Sequence, residues 1–292
     1  MGDRKRRFGD RKDGRRIRSL DPYNALTPFI MKTRTGSSNY LSETVEITEI
    51  DRFLREKRVG GCPGIGMLHL FIAAYIRTVS QYPGINRFIS GQRIFARNNI
   101  EFVMTVKKAL SINSGETSIK VAFNPGDTIN DVYKKLEIDI QKVKADVETS
   151  STDKAAGAFM KLPRIILMAT IRIVEIMDYF GLLPRSLVAA SPFHGSIVIT
   201  DMGSIGLPAI HHHLYNFGNV PVFIAFGTKY KRWEMNGKGA VEEKKYVDLK
   251  LVLDERVCDG FYFSQAYKTL KSLLKNPHAL EVPPETVVED FD

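Results

Sequence analysis

The stretch LVLDERVCDGFYF, residues 251–263, ends a β-rich run in a turn crowded with charge and passes into an aromatic helical stretch. Asp254, Glu255, Arg256 and Asp259 stand together there. Carboxylates just past a strand can trade protons with a substrate, or can merely solvate the end of a sheet. A second concentration of titratable groups is HHHLYN, residues 211–216. Three adjacent imidazoles cannot all face one direction. One can supply a base and a pair can hold a metal, or the run can be a surface or interface loop. The glycine-rich RVGGCPGIG, residues 58–66, lacks the Lys-Ser/Thr ending of a phosphate-binding loop and carries no chemistry of that kind. His69 lies in an apolar helical pattern and reads as a core residue; His194 and His278 read as turn residues.

A chain of 292 residues, 43% hydrophobic and 26% charged, buries a full core and has the composition of a globular protein. Its two cysteines, Cys62 and Cys258, make neither a disulfide framework nor a zinc site, so no metal is expected and a reducing, cytoplasmic compartment fits. The net charge of +9 is concentrated in residues 1–18, which hold nine Lys/Arg against three Asp. A basic segment of low hydrophobicity predicts a disordered or docking arm, with a protein as its partner. No base-reading motif accompanies it, so nucleic acid is not the expected partner. The arm lacks an apolar signal core, and its aspartates are wrong for a mitochondrial presequence. Residues 286–292 form an acidic tail.

One segment, LPRIILMATIRIVEIMDYFGLLP (162–184), is nearly apolar enough for a membrane. Arg164, Arg172, Glu175 and Asp178 exclude a transmembrane span and fall on one stripe of a helix. The rest of its circumference must be covered, by its own domain or a sister subunit, with a membrane interface as the remaining alternative.

Periodicity predicts a weak helix over 22–34, a strand at 39–47, and a helix capped by Thr48 that runs to about Lys57. A strong helix follows at 67–82, stopped by Pro83 and Gly84. Strands are expected at 92–96, 99–107 and 117–123, with Ser90-Gly91 as a hairpin tip. Thr128 caps a helix with apolar residues Ile129, Val132, Leu136 and Ile140 in register. A polar linker at 149–157, which contains Lys154, leads to the segment above. Strands return at 196–202, 220–229 and 245–253, and a helix closes the domain at 262–275. Residues 19–285 thus form one α+β domain with a mixed sheet.

Three segments together resemble the catalytic domain of the dihydrolipoyl acyltransferase components of 2-oxoacid dehydrogenase complexes, a fold shared with chloramphenicol acetyltransferase. GSIVITDMGSIG (195–206) is similar to the family pattern Gly-Thr-Phe-Thr-Ile-Ser-Asn-x-Gly-x-x-Gly. VPVFIAFGTKYKR (220–232) is similar to its glycine-ended strand, and 251–280 to its terminal strand, His-x-x-x-Asp-Gly motif and closing helix. The resemblance implies a two-layer α+β sandwich that forms homotrimers, with coenzyme A or an acyl-CoA as substrate and active sites between subunits. It leaves out the basic arm and the segment at about 157–187, which reads as an inserted helix able to join trimers into a larger assembly. No lipoyl segment is expected on this chain, so a carrier of the acyl group would be another protein, or the acceptor a small molecule.

In the family the motif histidine is the general base. Here Glu255 takes its place. An imidazole takes and returns a proton near neutral pH, whereas a carboxylate does comparable work on a thiol only where burial disfavours its charge. Thr200 falls where the family hydroxyl stabilises the tetrahedral oxyanion. Asp259 matches the motif aspartate, a structural support that pairs with an arginine near the domain's start; Asn24 is the matching position. Gly260 is expected to permit the tight turn. Cys258 occupies a position that takes a small buried residue, hence a packed thiol. His212, in the histidine run, is the candidate replacement base. Two readings follow: a catalytically degenerate scaffold or coenzyme A-binding protein, and an active acyltransferase using Glu255 or a loop histidine as base with Thr200 as the oxyanion contact.

Overall fold

A computed structural model describes residues 6–107, 116–145, 157 and 160–291. Residues 146–156, with Lys154 and most of the expected linker, lie outside the described residues. The chain runs β1 (Gly14–Arg16), α1 (Pro22–Ile30), β2 (Ser38–Glu46), α2 (Thr48–Val59), α3 (Met67–Gln81), β3 (Phe88–Ser90), β4 (Arg93–Arg97), β5 (Ile100–Lys107), β6 (Glu116–Phe123) and α4 (Ile129–Ala145). It continues with α5 (Arg164–Tyr179), α6 (Arg185–Ala190), β7 (Ile197–Asp201), β8 (Val222–Phe226), β9 (Tyr230–Met235), β10 (Val241–Asp254) and α7 (Gly260–Lys275).

The main sheet has the order β2-β10-β8-β7-β5-β6, with β9 paired to the first part of β10. β7 is parallel to β5 and β8 while the remaining pairs are antiparallel, so the sheet is mixed. Alternation decides what each face does. Ile197 and Ile199, Val222, Ile224 and Phe226, and Leu249, Leu251 and Leu253 point to the helical layer and form the large core with α2, α3, α4 and α7. α3 is apolar nearly all round and is buried from Met67 to Ser80 apart from Leu68, as a helix at the centre of a layer must be. α7 shows the narrower stripe of a covering helix, Ala266, Leu270, Leu273 and Leu274. The opposite sheet face carries only a small cluster, Phe223, Val252 and Leu214, with Val198 against it.

The hairpin β3–β4 turns through Gly91 and Gln92, both with positive φ (54° and 56°), the two-residue geometry that matches strand twist. Thr128 and Asp131 bond reciprocally at the start of α4, Thr128 N–H to the carboxylate at 2.9 Å and Asp131 N–H to the hydroxyl at 3.3 Å. Thr48 is the first residue of α2 rather than its cap; its hydroxyl accepts from Lys245 N–H.

Three segments read from composition take definite positions. The basic segment is docked on the domain from Arg11 onward, with β1 paired to β4 and Arg11 only 6% exposed. Arg11 is drawn in by Asp13 (2.8 Å) and Asp178 (2.7 Å). The acidic tail also folds back: Val288 N–H donates to Ser80, and Asp290 pairs with Arg87. The apolar segment forms α5, and of that helix only Asp178 is buried. Helical periodicity located its apolar face and could not say what covers it.

Candidate functional site

The loop between β7 and β8 carries the histidines over the second sheet face, and two glycines hold its base. A Cβ at Gly227, which follows β8, would stand 2.4 Å from Ala209 N, and one at Gly203 would stand 2.6 Å from the Gly227 carbonyl oxygen. Neither position accepts a side chain without moving backbone. The three imidazoles then diverge. His211 Nε2 donates to the Leu41 carbonyl (3.2 Å) and meets Tyr40 edge-on. His213 packs edge-on to Tyr215. His212 stacks on Phe223, centroids 4.3 Å apart, and its Nε2 lies 3.3 Å from Thr200 Oγ1. Burial, and then the charge of His213, lowers the His212 pKa below the ordinary 6.5. At neutral pH the ring is therefore uncharged, and in the tautomer with hydrogen on Nδ1 its Nε2 accepts from that hydroxyl. Among the described residues no three His, Cys, Asp or Glu side chains converge on a metal position.

Thr200 opens a row across the sheet: it pairs with Ala225, and Ala225 with Lys250. Lys250, whose Nζ donates to Ser42 Oγ at 2.9 Å, is a cation on the same face two strands away. Only register reveals it.

The charged turn is built differently from expectation. Asp254 is fully buried and grips Arg256 through two hydrogen bonds of 2.7 Å. Arg34, 5% exposed, lies 3.5 Å from the same carboxylate and also donates to the carbonyls of Tyr215 and Ile89. Burial, only partly offset by Asp254, pulls the Arg34 pKa down to about 10. Arg34 ties the turn to the end of the histidine loop, and no spacing rule pointed to it. Glu255 is half-buried; its N–H is held by the Ser37 carbonyl at 2.9 Å, and its carboxylate has no polar partner among the described residues.

Asp259 is exposed and caps α7 by accepting from Tyr262 N–H at 2.9 Å. It does not pair with Asn24, whose amide donates to Asp21. The arginine–carboxylate anchor sits instead at Asp254. Gly260 has an ordinary φ and open space around it, so the turn does not require glycine there. Burial, against the pull of Arg87, pushes the Cys258 thiol up to about 12, which rules out a ready thiolate. Cys258, Asp259, Asn24, Arg87, Arg256 and Tyr262 line a cleft of about 330 Å³. Its two cations are committed, Arg87 to Asp290 and Arg256 to Asp254, and neither is left over for the phosphates of a coenzyme. His69 is buried, its Nδ1 accepting from Gly66 N–H.

Glu255 and Thr200 of one chain do not meet. Lys250, in register with Thr200 across β8, precedes Glu255 by five residues, a run of about 16 Å along the strand. Two strand spacings add to that separation.

No protein-family model matches the chain, and no curated protein matches it. Solved structures do. A probable dihydrolipoamide acetyltransferase from Listeria monocytogenes 4b F2365 aligns over 89% of this chain and 95% of its own, with TM-score 0.55 and 13% identity. The cubic core of a pyruvate dehydrogenase multienzyme complex aligns over 91% and 94%, with TM-score 0.51 and 14% identity. A chloramphenicol acetyltransferase aligns over 88% and 99%, with TM-score 0.51 and 13% identity. The chain has the chloramphenicol acetyltransferase-like α+β fold with a mixed sheet. Identities this low establish the fold alone.

Proposed function

We propose that the protein is an acyl-CoA-dependent acyltransferase whose base is His212 rather than the residue at the motif-histidine position. The observation that carries this reading is the 3.3 Å approach of His212 Nε2 to Thr200 Oγ1, with the imidazole kept neutral by burial. In this reading His212 Nε2 takes the proton of an acceptor thiol or hydroxyl as the acceptor attacks the thioester carbonyl. Thr200 then turns its hydroxyl hydrogen to the oxyanion. When the tetrahedral intermediate collapses, the C–S bond breaks, and the imidazolium returns its proton to the departing coenzyme A thiolate.

A homotrimer with sites between subunits is the arrangement the resemblance implies, and within one chain Glu255 stands far from Thr200. A neighbour's Glu255 would then border the site as an electrostatic wall rather than as its base. The scaffold reading keeps one support of its own, the absence of a histidine at the charged turn. Release of free coenzyme A from acetyl-CoA with thiol, amine and hydroxyl acceptors tests the two. Acceptor-dependent release supports transfer, and coenzyme A binding without release for any acceptor supports the scaffold.

A further inference from the structure

α5 is an amphipathic helix with its apolar face turned to water. Leu167, Thr170, Val174 and Met177 lie half-buried toward the body of the domain. Ile165 (82% exposed), Ile173 (56%), Ile176 (49%) and Phe180 (67%), the last three standing eight, eleven and fifteen residues after the first on one face, point away from it. Each such side chain gains about 1.5–3 kcal/mol when fully buried, so the stripe calls for a cover.

The charge around the stripe indicates which cover. From 157 to 195 the cations are Lys161, Arg164, Arg172 and Arg185, and the only acids are Glu175 and Asp178. Both acids are already paired, Glu175 with Arg172 at 2.8 Å and Asp178 with Arg11 at 2.7 Å. The basic N-terminal segment is clamped to the same end of the helix, through Arg11 to Asp178 and through Lys12 Nζ to the Leu183 carbonyl (3.3 Å). Phe8, fully exposed, projects from that segment. An apolar stripe framed by uncompensated positive charge matches a surface that is apolar within and anionic at its rim. A second copy of the helix would bring the same cations together.

We propose that α5 docks the protein on an anionic phospholipid surface, with Ile165, Ile173, Ile176 and Phe180 in the acyl region and Lys161, Arg164 and Arg185 at the headgroups. The helix lies on the membrane and does not cross it: among the described residues no helix is long and apolar enough to span one. The proposal stands apart from acyl transfer, which is read from coenzyme A release in solution.

Flotation of the full chain with vesicles of phosphatidylcholine, alone or mixed with phosphatidylglycerol, tests it. The wild type is expected to float with the anionic vesicles and to be released by raised salt. The Ile173→Ser/Ile176→Ser pair, checked for unchanged circular dichroism, is expected to weaken partitioning at least ~tenfold. Replacing Lys161, Arg164 and Arg185 by Gln should cost ~fivefold per cation. No flotation overturns the proposal, as does equal partitioning to neutral vesicles or flotation that survives the isoleucine changes. An oligomer that the isoleucine changes dissociate, without vesicle binding by the wild type, assigns the stripe to a second copy instead.

Discussion

An imidazole facing a hydroxyl on a thinly covered sheet face has consequences that single substitutions can read. His212→Gln keeps a polar group beside Thr200 but removes the base, and should lower kcat by about 10²–10⁴-fold. Thr200→Val, nearly isosteric, should cost about 10²–10³-fold in kcat with little change in KM, because the hydroxyl acts on charge that exists only in the transition state. A base must be unprotonated, so activity falls as pH drops, and with the His212 pKa lowered the acid limb of kcat/KM should centre below 6.5. Part of this site is legible in the sequence: Thr200 through its motif, and His212 through the histidine run. Arg34 and Lys250 are not, because a buried arginine holding a turn and a lysine two strands away are defined by tertiary pairing. The sequence also suggested an Asp259 support that the structure assigns to Asp254, whose partners come from both sides of it in the chain.

At the scale of elements, the strands and helices follow from alternation and capping wherever one face is clearly apolar. β9 escaped that logic because YKRWEM pairs only with the outer part of β10 and is largely exposed on both faces. α5 marks the opposite limit, since an apolar periodicity is the same whether protein, lipid or another subunit covers it. Gly227→Ala addresses the loop as a unit. A methyl there collides with Ala209 N, the loop must lift, and His212 should leave Thr200. Activity should fall toward that of His212→Gln while far-ultraviolet circular dichroism stays unchanged. In α3, burial holds the His69 pKa at about 4 against the charge of Glu137. The unfolded chain protonates His69 through 6.5, so stability that is complete above 6.5 is withdrawn as pH falls from there to about 4. The effect is about 3 kcal/mol, seen as a lower urea midpoint at acid pH and reduced in His69→Asn.

For the whole molecule, Arg11, Asp178 and His194 join the N-terminal segment, α5 and the turn before β7. Burial raises the Asp178 pKa, but His194 and Arg11 outweigh it and leave it at about 2. The carboxylate's contribution is complete above its unfolded value near 3.8 and is lost as pH falls through about 2. Arg11→Ala leaves that charge buried and half-paired, and should destabilise the fold by about 3 kcal/mol, measured by urea unfolding at pH 7. Composition alone cannot foresee this: Arg11, part of a segment that reads as a disordered or docking arm, serves as an internal partner once Asp178 is folded beside it. The class of fold, by contrast, was legible, since three motif segments at the right intervals fix β7, β8 and β10 in the sheet that carries the candidate site. If that site lies between subunits, sedimentation should show a trimer.

Whether His212 is the base is read most directly from coenzyme A release from acetyl-CoA at pH 7.5 (roughly a unit above the ordinary histidine value) by wild type, His212→Gln and Glu255→Gln side by side. Turnover by the wild type is expected, with loss of at least about a hundredfold in His212→Gln and a change of less than about tenfold in Glu255→Gln. Loss confined to Glu255→Gln would contradict this and return the base to the charged turn.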